Sequence, residues 1–403
     1  MKKKLIAAML VAMTVFAGCN SEGGDASSTP VLQTLEAEPI TSIEESTVEE
    51  SVVESTVEES EAVVDETGSL TITDRPVVNG KKQSYLTGEW KDASVVDRRC
   101  MAVMVPNNKP AMPQYGISKA SIIYEAPVEG RITRLMCVFE DYDDLDRIGP
   151  VRSSRDYYVY EAMALDAIYV NWGLAVPFVA PIINTDRIDN VSQSNQGIDV
   201  PSPEAFDRYS RPGYATEFTG YLKISGYNKA VENRKYSTEI RPERFTKAYE
   251  FAADGHKAEY KDYPDATKIY PGGNKSNSGG YGDAKPCFEY HADEGVYYRS
   301  QYGGPHIDEY NGEQLKVSNI IFKICHGEVR DPKEKDYLAF AVHGQNDCYV
   351  FTNGKVIKGT WKRNSDNEPN LLFDENGNEI VLNQGKTWIC NIWQEYQEFI
   401  SYE

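Results

Sequence analysis

A long acidic stretch near the N-terminus sets the first limit on how this chain can fold. Residues 20–67 hold 14 Asp or Glu and no Lys or Arg, and within them Glu45–Ser51 (ESTVEES) recurs nine positions later as Glu54–Ser60. The stretch has no aromatic residue, so it cannot bury enough apolar surface to offset the entropy lost on ordering. Repulsion between its carboxylates keeps such a chain extended. The sequence therefore predicts a disordered spacer, with folded domains only after it.

The residues before the spacer match the signal of a bacterial lipoprotein. Lys2–Lys4 are positively charged, residues 5–16 are apolar, and the small pair Ala17-Gly18 precedes Cys19. Small residues admit a signal peptidase, and the Cys19 thiol is the nucleophile that takes the lipid. The apolar run is too short to span a hydrocarbon core of about 30 Å. We expect residues 1–18 to be removed and Cys19 to carry fatty acyl chains such as palmitate.

This anchor predicts an extracytoplasmic protein on the outer face of the cytoplasmic membrane. The spacer, taken as residues 19–85, would reach on the order of 200 Å if fully extended, so the folded part can enter the cell wall. The net charge of −20 comes mostly from the spacer. Such acidity disfavours nucleic acid as a partner. The expected partners are the membrane, through the lipid, and a cell-wall polymer or a membrane protein.

Cysteine usage leaves two alternatives open. An even number of remaining cysteines outside the cytoplasm permits three disulfides. Apolar neighbours, as in Leu135–Phe139, are equally typical of buried free thiols. There is no CxxC pair and the five histidines are scattered, so neither a metal site nor a cofactor is predicted. The six cysteines after Cys19 are Cys100, Cys137, Cys287, Cys325, Cys348 and Cys390.

The chain after the spacer is long enough for two domains. The first, residues 86–250, has apolar runs and a helical pattern whose order predicts an α/β layer domain. Ser153 or Ser154 is the expected N-cap of the helix. The predicted elements are strands at 101–105, 121–126, 134–139 and 167–171 and a helix at 153–164.

The second domain, residues 251–403, is predicted to be a β-rich meander that forms a sandwich or a half-open barrel, which makes the whole chain α+β. Asn353-Gly354 and Asn376-Gly377 are strong signals of type I′ hairpins, because both central residues of that turn need positive φ. The predicted strands are 317–324, 338–342, 349–352, 356–361, 371–373, 380–382 and 387–393.

The densest group of charged residues lies in the first domain. Arg152 and Arg155 follow the rigid Gly149-Pro150 turn and, three residues apart, would share the first turn of the predicted helix. The helix dipole favours anions there. Either the arginines bind a carboxylate or phosphate, or Glu125, Glu129 and Asp156 neutralise them in a structural network. The candidate binding residues in this region are Glu125, Glu129, Arg131, Arg134, Arg152 and Arg155.

An enzymatic function is the alternative. Glu125 and Glu129 would then be the acid/base pair of a cell-wall hydrolase or transferase. His306 and Asp308 are secondary candidates, although a histidine beside an acid more often orders a loop. The 27 tyrosines suit sugar stacking or a protein interface equally well. The residues favour a binding module of the cell envelope over an enzyme.

Several motifs occur in order along the chain, namely Tyr124-Glu125-Ala126, Val128-Glu129-Gly130, Ile148–Arg155, Gly304–Asp308, Gly359-Thr360-Trp361 and Gly385–Trp388. In these motifs the chain resembles the YerB-type lipoproteins, a family of two domains without an assigned function. The resemblance implies an envelope location and a two-domain layout, but no reaction. It also marks Asn171 as a candidate site residue, since the family pattern has histidine there, and Arg211–Tyr214 lacks another expected histidine. An activity that needs those histidines would be altered here.

Overall fold

The computed structural model describes residues 71–72, 74–245, 249–272, 280–331 and 335–403. Cys19, the predicted signal peptide and the predicted spacer up to residue 70 lie outside the described residues. Helices are few and short. They are α1 (Ala93–Val96), α2 (Asp156–Met163), α3 (Val176–Ile183) and α4 (Ile224–Arg234), with 3₁₀ turns at Lys109–Ala111, Ile117–Lys119, Pro203–Ala205, Thr216–Phe218, Gly282–Ala284 and Gln394–Phe399.

Strands dominate both halves of the chain. The first half has β1 (Lys81–Gln83), β2 (Trp90–Asp92), β3 (Met101–Pro106), β4 (Ile122–Val128), β5 (Ile132–Phe139), β6 (Arg147–Ile148), β7 (Ile168–Trp172), β8 (Asn190–Gln193), β9 (Phe206–Arg208), β10 (Gly220–Lys223) and β11 (Glu250–Phe251). The second half has β12 (Lys268–Tyr270), β13 (Cys287–His291), β14 (Val296–Gln301), β15 (Gly304–Pro305), β16 (Lys316–Val317), β17 (Asn319–Cys325), β18 (Gly327–Arg330), β19 (Tyr337–Phe340), β20 (Gly344–Thr352), β21 (Lys355–Arg363), β22 (Leu371–Asp374), β23 (Val381–Leu382), β24 (Thr387–Trp393) and β25 (Ser401–Tyr402).

One mixed sheet of ten strands runs through both halves. Its order is β22-β21-β20-β17-β24-β4-β5-β3-β7-β8. The predicted strands of the second half are present, but they do not form a separate meander, because β24 lies between β17 and β4 and is parallel to both. The domain boundary predicted between residues 250 and 251 stays a prediction, although the ten-strand sheet contains strands from both sides of it.

The large sheet is covered on both faces. Since side chains alternate across a strand, residues such as Tyr124 and Ile321 join a core with α2 and α3. Their neighbours Ile123 and Ile320 join a second core, which contains α4 and a smaller sheet with the order β15-β14-β13-β12-β25. Residues of both halves of the chain contribute to each core.

The two predicted hairpins differ in detail. Asn353 and Gly354 have φ of 50° and 72° between β20 and β21, which confirms the type I′ turn. In the second turn Gly377 has φ of 83°, and the carboxylate of Asp374 accepts the amides of Asn376 and Asn378 at 2.9 and 2.8 Å. Asn376 does not have positive φ, so the type I′ turn predicted here was wrong, and the aspartate side chain orders the loop together with Gly377.

Helix α2 begins later than the sequence predicts. It starts at Asp156 with Arg155 as the N-cap residue, and neither Ser153 nor Ser154 caps it. The Ser154 amide instead donates to the Gly173 carbonyl at 2.9 Å, and its hydroxyl bonds the Tyr169 hydroxyl at 2.6 Å. Because these bonds hold the segment beside β7, the prediction that Arg152 and Arg155 share the first helical turn was wrong.

Ordered structure begins inside the segment assigned to the spacer. Strand β1 pairs with β2, and Ser84 is fully buried. The Ser84 hydroxyl lies 2.6 Å from a carboxylate oxygen of Glu140. The folded part of the chain therefore starts before residue 86.

The six described cysteines are free thiols, and five of them are buried. The three-disulfide alternative is therefore wrong. Strands β5 and β24 place Cys137 and Cys390 among apolar side chains of one core. Burial raises the pKa of both thiols well above its ordinary value, so these cysteines act as small apolar residues.

Candidate functional site

A pocket of about 680 Å³ lies at the carboxyl ends of β7 and β8. These strands are parallel to each other, and β7 is parallel to β3. In α/β sheets ligands bind outside the carboxyl ends of parallel strands, where the loops diverge. Residues that line the pocket include Ser153, Trp172, Gly173, Gln193, Arg208 and Tyr337.

Close packing behind Trp172 and Gly173 shapes the pocket. Gly173 has φ of 90°, and a Cβ there would lie 2.6 Å from the Ser153 hydroxyl, so only glycine fits. A Cβ on Gly220 would lie 2.7 Å from the Trp172 ring. The guanidinium of Arg208 lies over the Trp172 ring, 4.7 Å from the ring centroid. This wall is therefore rigid and carries a cation.

Arg134, Arg152 and Arg155, here called the arginine group, lie beside the pocket. The Nε of Arg155 lies 3.0 and 3.1 Å from the two carboxylate oxygens of Glu129, and its Nη2 donates to Oε2 of the same carboxylate. Arg152 pairs with the exposed carboxylate of Glu217 at 2.8 Å. Of the acids expected to neutralise these arginines, Glu129 pairs with Arg155. Asp156 pairs instead with Arg330 at 2.7 Å, and Glu125 pairs with Arg299 at 2.7 Å, so the predicted network is correct only for Glu129.

Arg134 differs from its two neighbours. Only 5% of its surface is exposed, and it donates to the carbonyl of Ser153, which lines the pocket, at 2.6 Å. Its Nε is buried without a hydrogen-bond partner among the described residues. Burial, followed by repulsion from Arg155 and Arg152, lowers the pKa of Arg134 to about 9. A buried cation in this position is stabilised by any anion that enters nearby.

The arginine group keeps Glu129 in its ionised, carboxylate form. Burial favours its neutral form, but the hydrogen bonds and charge of Arg155 outweigh burial and lower the pKa of Glu129. Its Oε1 also accepts the amide of Leu338 at 3.2 Å. The contacts of Glu129 are those of an anion that orders the arginines.

Two other predicted residues occupy separate positions. Arg131 pairs with Asp283 at 3.2 Å, and both side chains are largely exposed, so Arg131 is not part of the arginine group. Asn171 is buried at the end of β7, where it donates to the Gly173 carbonyl and accepts from Ser192, each at 2.7 Å. Asn171 therefore orders the loop that forms the floor of the pocket.

Glu125 lies on the opposite face of the sheet and has no exposed surface. Asn107 and Thr133 donate to one of its oxygens at 2.9 and 2.7 Å. Arg299 and Trp388 donate to the other at 2.7 and 3.0 Å. With four donors on one buried carboxylate, this position ties the two halves of the chain together and leaves no room for a substrate.

His306 joins the same buried cluster. Arg299 donates to its Nδ1 at 3.0 Å, and its Nε2 lies 2.9 Å from the Gln114 side-chain oxygen. Burial and the positive charge of Arg299 lower the pKa of His306 well below its ordinary value. Asp308 accepts the amides of Gly116 and Ser118 at 2.8 and 2.7 Å. Both secondary candidates thus order loops between distant segments.

Sequence reasoning missed Arg299 and Arg208, which stand in ordinary strand contexts. The described residues contain no cluster of three or more His, Cys, Asp or Glu able to hold a metal ion. Within the same part of the chain, no helix has the length and apolar character needed to cross a membrane. The pocket with its cationic neighbours is therefore the arrangement best suited to hold a ligand.

Together these features define a strand-rich protein with a positively charged pocket at the edge of its main sheet. The chain belongs to the DUF3048 family of proteins of unknown function. The N-terminal domain of that family matches residues 86–237, and its C-terminal domain matches residues 279–389. The predicted resemblance is confirmed.

Two comparisons extend this assignment. A Bacillus subtilis (strain 168) protein named "Putative lipoprotein YerB" is 28% identical over 313 residues, which are 77% of this chain and 86% of that protein. The crystal structure of YerB protein from Bacillus subtilis matches with a TM-score of 0.66 at 23% identity, over 80% of this chain and 99% of the other. The second comparison shows a shared fold.

Proposed function

We propose that this chain is a lipid-anchored binding protein of the cell envelope, which binds an anionic group of a cell-wall polymer in the pocket at the carboxyl ends of β7 and β8. The observation that carries the proposal is Arg134, a buried cation beside Arg152 and Arg155 whose Nε has no hydrogen-bond partner among the described residues. A phosphate or carboxylate in the pocket would relieve the repulsion between these arginines.

The charges beside the pocket favour an anion. The arginine group carries three cations against the two carboxylates of Glu129 and Glu217. Arg208 adds a fourth cation on the pocket wall, and among the described residues its side chain donates only to the Thr216 carbonyl and the Thr219 hydroxyl. Guanidinium groups bind phosphate and carboxylate oxygens through paired, charge-assisted hydrogen bonds.

The test is sedimentation with insoluble walls from the producing organism, either intact or stripped of their anionic polymers. The unaltered protein should bind intact walls and lose that binding on stripped walls. Arg208→Ala should weaken binding about tenfold, equivalent to about 1.4 kcal/mol. Arg131→Ala is the matched control, because Arg131 is another exposed arginine but pairs with Asp283 away from the pocket. Equal binding to both wall preparations, or by both variants, would refute the proposal.

A photoreactive residue at Val176 tests the class of partner in cells. Val176 lines the pocket and is 37% exposed. Cross-linking should attach wall glycan or its linked polymer. Capture of a membrane enzyme instead would overturn the proposed ligand while leaving the pocket as the interface.

The location rests on Cys19 and on the similarity to a protein named as a lipoprotein. Lipidation of Cys19 would hold the protein on the outer face of the cytoplasmic membrane. Cys19→Ala should move it from the membrane fraction to the culture medium. Retention of that variant in the membrane would contradict the anchor.

The hydrolase or transferase alternative gains no support from its two residues. Glu125 is fully buried under four donors, and Glu129 is paired with Arg155. A general acid must reach the atom it protonates. If Glu129→Gln abolished the release of soluble fragments from purified walls, the enzymatic function would replace the one proposed.

A further inference from the structure

A second charged cluster lies on the helix-covered face of the large sheet, away from the pocket. Lys323 of β17, Glu161 of α2 and Arg363 of β21 are at most 1% exposed, and Asn370, just before β22, is 6% exposed. The aromatic ring of Trp361 lies 4.2 Å from the Lys323 nitrogen. An amine, an amide and a carboxylate are therefore enclosed together in an apolar core.

The cluster places a nucleophile, the Lys323 amine, beside an electrophile, the Asn370 side-chain amide. The Glu161 carboxylate contacts both and can carry a proton between them. The Lys323 Nζ lies 2.6 Å from the Asn370 side-chain oxygen, so it is adjacent to the amide carbon. Glu161 accepts the Lys323 ammonium at 2.8 Å through one oxygen and the Asn370 Nδ2 at 2.8 Å through the other. A carboxylate bonded to both nitrogens can move a proton from the nucleophile to the leaving group.

The cluster holds two cations and a single carboxylate. Arg363 also contacts Glu161, at 3.3 Å, so two cations share one carboxylate. Among the described residues no second carboxylate pairs with either cation; Arg363 otherwise donates to the carbonyls of Ser365, Tyr160 and Asp366. An uncompensated buried charge is costly. Converting the ammonium to an amide would leave a neutral Arg363–Glu161 pair.

We propose that Lys323 and Asn370 are joined by an isopeptide bond that the folded protein forms by itself. Glu161 accepts a proton from Lys323, whose freed amine attacks the Asn370 side-chain carbon. Glu161 then delivers that proton to Nδ2 and the carbon–nitrogen bond breaks. Of the two protons left on Nζ, one stays as the N–H of the new amide and the other leaves with the ammonia as ammonium. One ammonium cation and one primary amide thus become a secondary amide and an ammonium ion, with no oxidant or cofactor.

The bond would brace the sheet from within. It spans 47 sequence positions and encloses β18 to β21. Closing a loop of this kind restricts the unfolded chain, as a disulfide does. The described cysteines form no disulfides. The isopeptide bond would therefore supply a covalent constraint, and one that reducing conditions do not break.

The experiment is peptide mapping of the full-length protein after denaturation and trypsin digestion. The bond blocks cleavage at Lys323, so peptide 317–330 should appear joined to peptide 364–386, one ammonia lighter than their sum. Fragment ions should place the link at Lys323 and Asn370. Unlinked peptides 317–323 and 364–386 at full mass would overturn the proposal.

Two variants complete the test. Glu161→Gln should abolish the joined pair, and its presence at the unaltered level would refute the role of Glu161. Asn376→Ser is the matched control, because Asn376-Gly377 lies in the same peptide and can lose ammonia within it; this variant should keep the joined pair. Where Glu161→Gln fails to fold, the map of the unaltered protein still decides whether the bond exists.

Discussion

Replacement of Arg299 by methionine should lower the free energy of unfolding by about 3–5 kcal/mol, because it leaves a buried carboxylate without its charged partner. Arg299 and Glu125 have side-chain exposures of 1% and 0% and lie 2.7 Å apart. Asn107, Thr133 and Trp388 would still donate to Glu125, so the loss should stay within that range.

Urea unfolding at pH 7, followed by tryptophan fluorescence, measures this loss. The matched control is Arg131→Met, which breaks the exposed pair with Asp283 and should cost about 0–1 kcal/mol. The double variant Glu125→Gln/Arg299→Met should recover part of the loss, since it removes the unpaired charge. Equal destabilisation in Arg299→Met and Arg131→Met would refute the reasoning.

Three further outcomes are expected. His306 is neutral in the folded protein because burial and Arg299 lower its pKa well below 6.5. The unfolded chain gains a proton there as pH falls through 6.5, so stability decreases by about 1.4 kcal/mol per pH unit below it. His306→Gln should reduce that slope in urea titrations from pH 7 to 5, and an unchanged slope would contradict the assignment. Thiol titration without reductant should find the half-buried Cys287 reactive first and all six described thiols reactive after denaturation; a lower final count would show a disulfide. A fragment of residues 86–250 should lack a cooperative urea transition, because β4 would lose β24 and Glu125 would lose Arg299.

Local features of the fold could be predicted from the sequence. Asn353-Gly354 defines its hairpin because positive φ at both positions is a local requirement. Strand β24 has the predicted bounds 387–393, since its apolar run ends at turn residues. The start of α2 could not be predicted, because the bonds from Ser154 to Gly173 and Tyr169 depend on tertiary contacts.

The candidate site could be predicted only in part. Four arginines were identified from their density, and three of them lie together in the structure. Their partners were not identified, since Glu217 lies 65 positions from Arg152 and Arg299 lies 174 positions from Glu125. Periodicity reports which residues are buried, whereas pairings at such separations depend on topology. The place of Arg208 in the pocket wall depends on its contact with the Trp172 ring, which no local sequence pattern predicts.

The two buried charge clusters explain how the central strands find one register. All seven residues of β17 and of β24 are buried, so an apolar side chain suits either face and alternation alone leaves their register weakly defined. A shift of β24 by one residue would turn Trp388 away from Glu125. The same shift of β17 would turn Lys323 away from Glu161 on the other face. Because each slip leaves a buried carboxylate short of a donor, polar contacts on both faces select the arrangement that the hydrophobic pattern cannot.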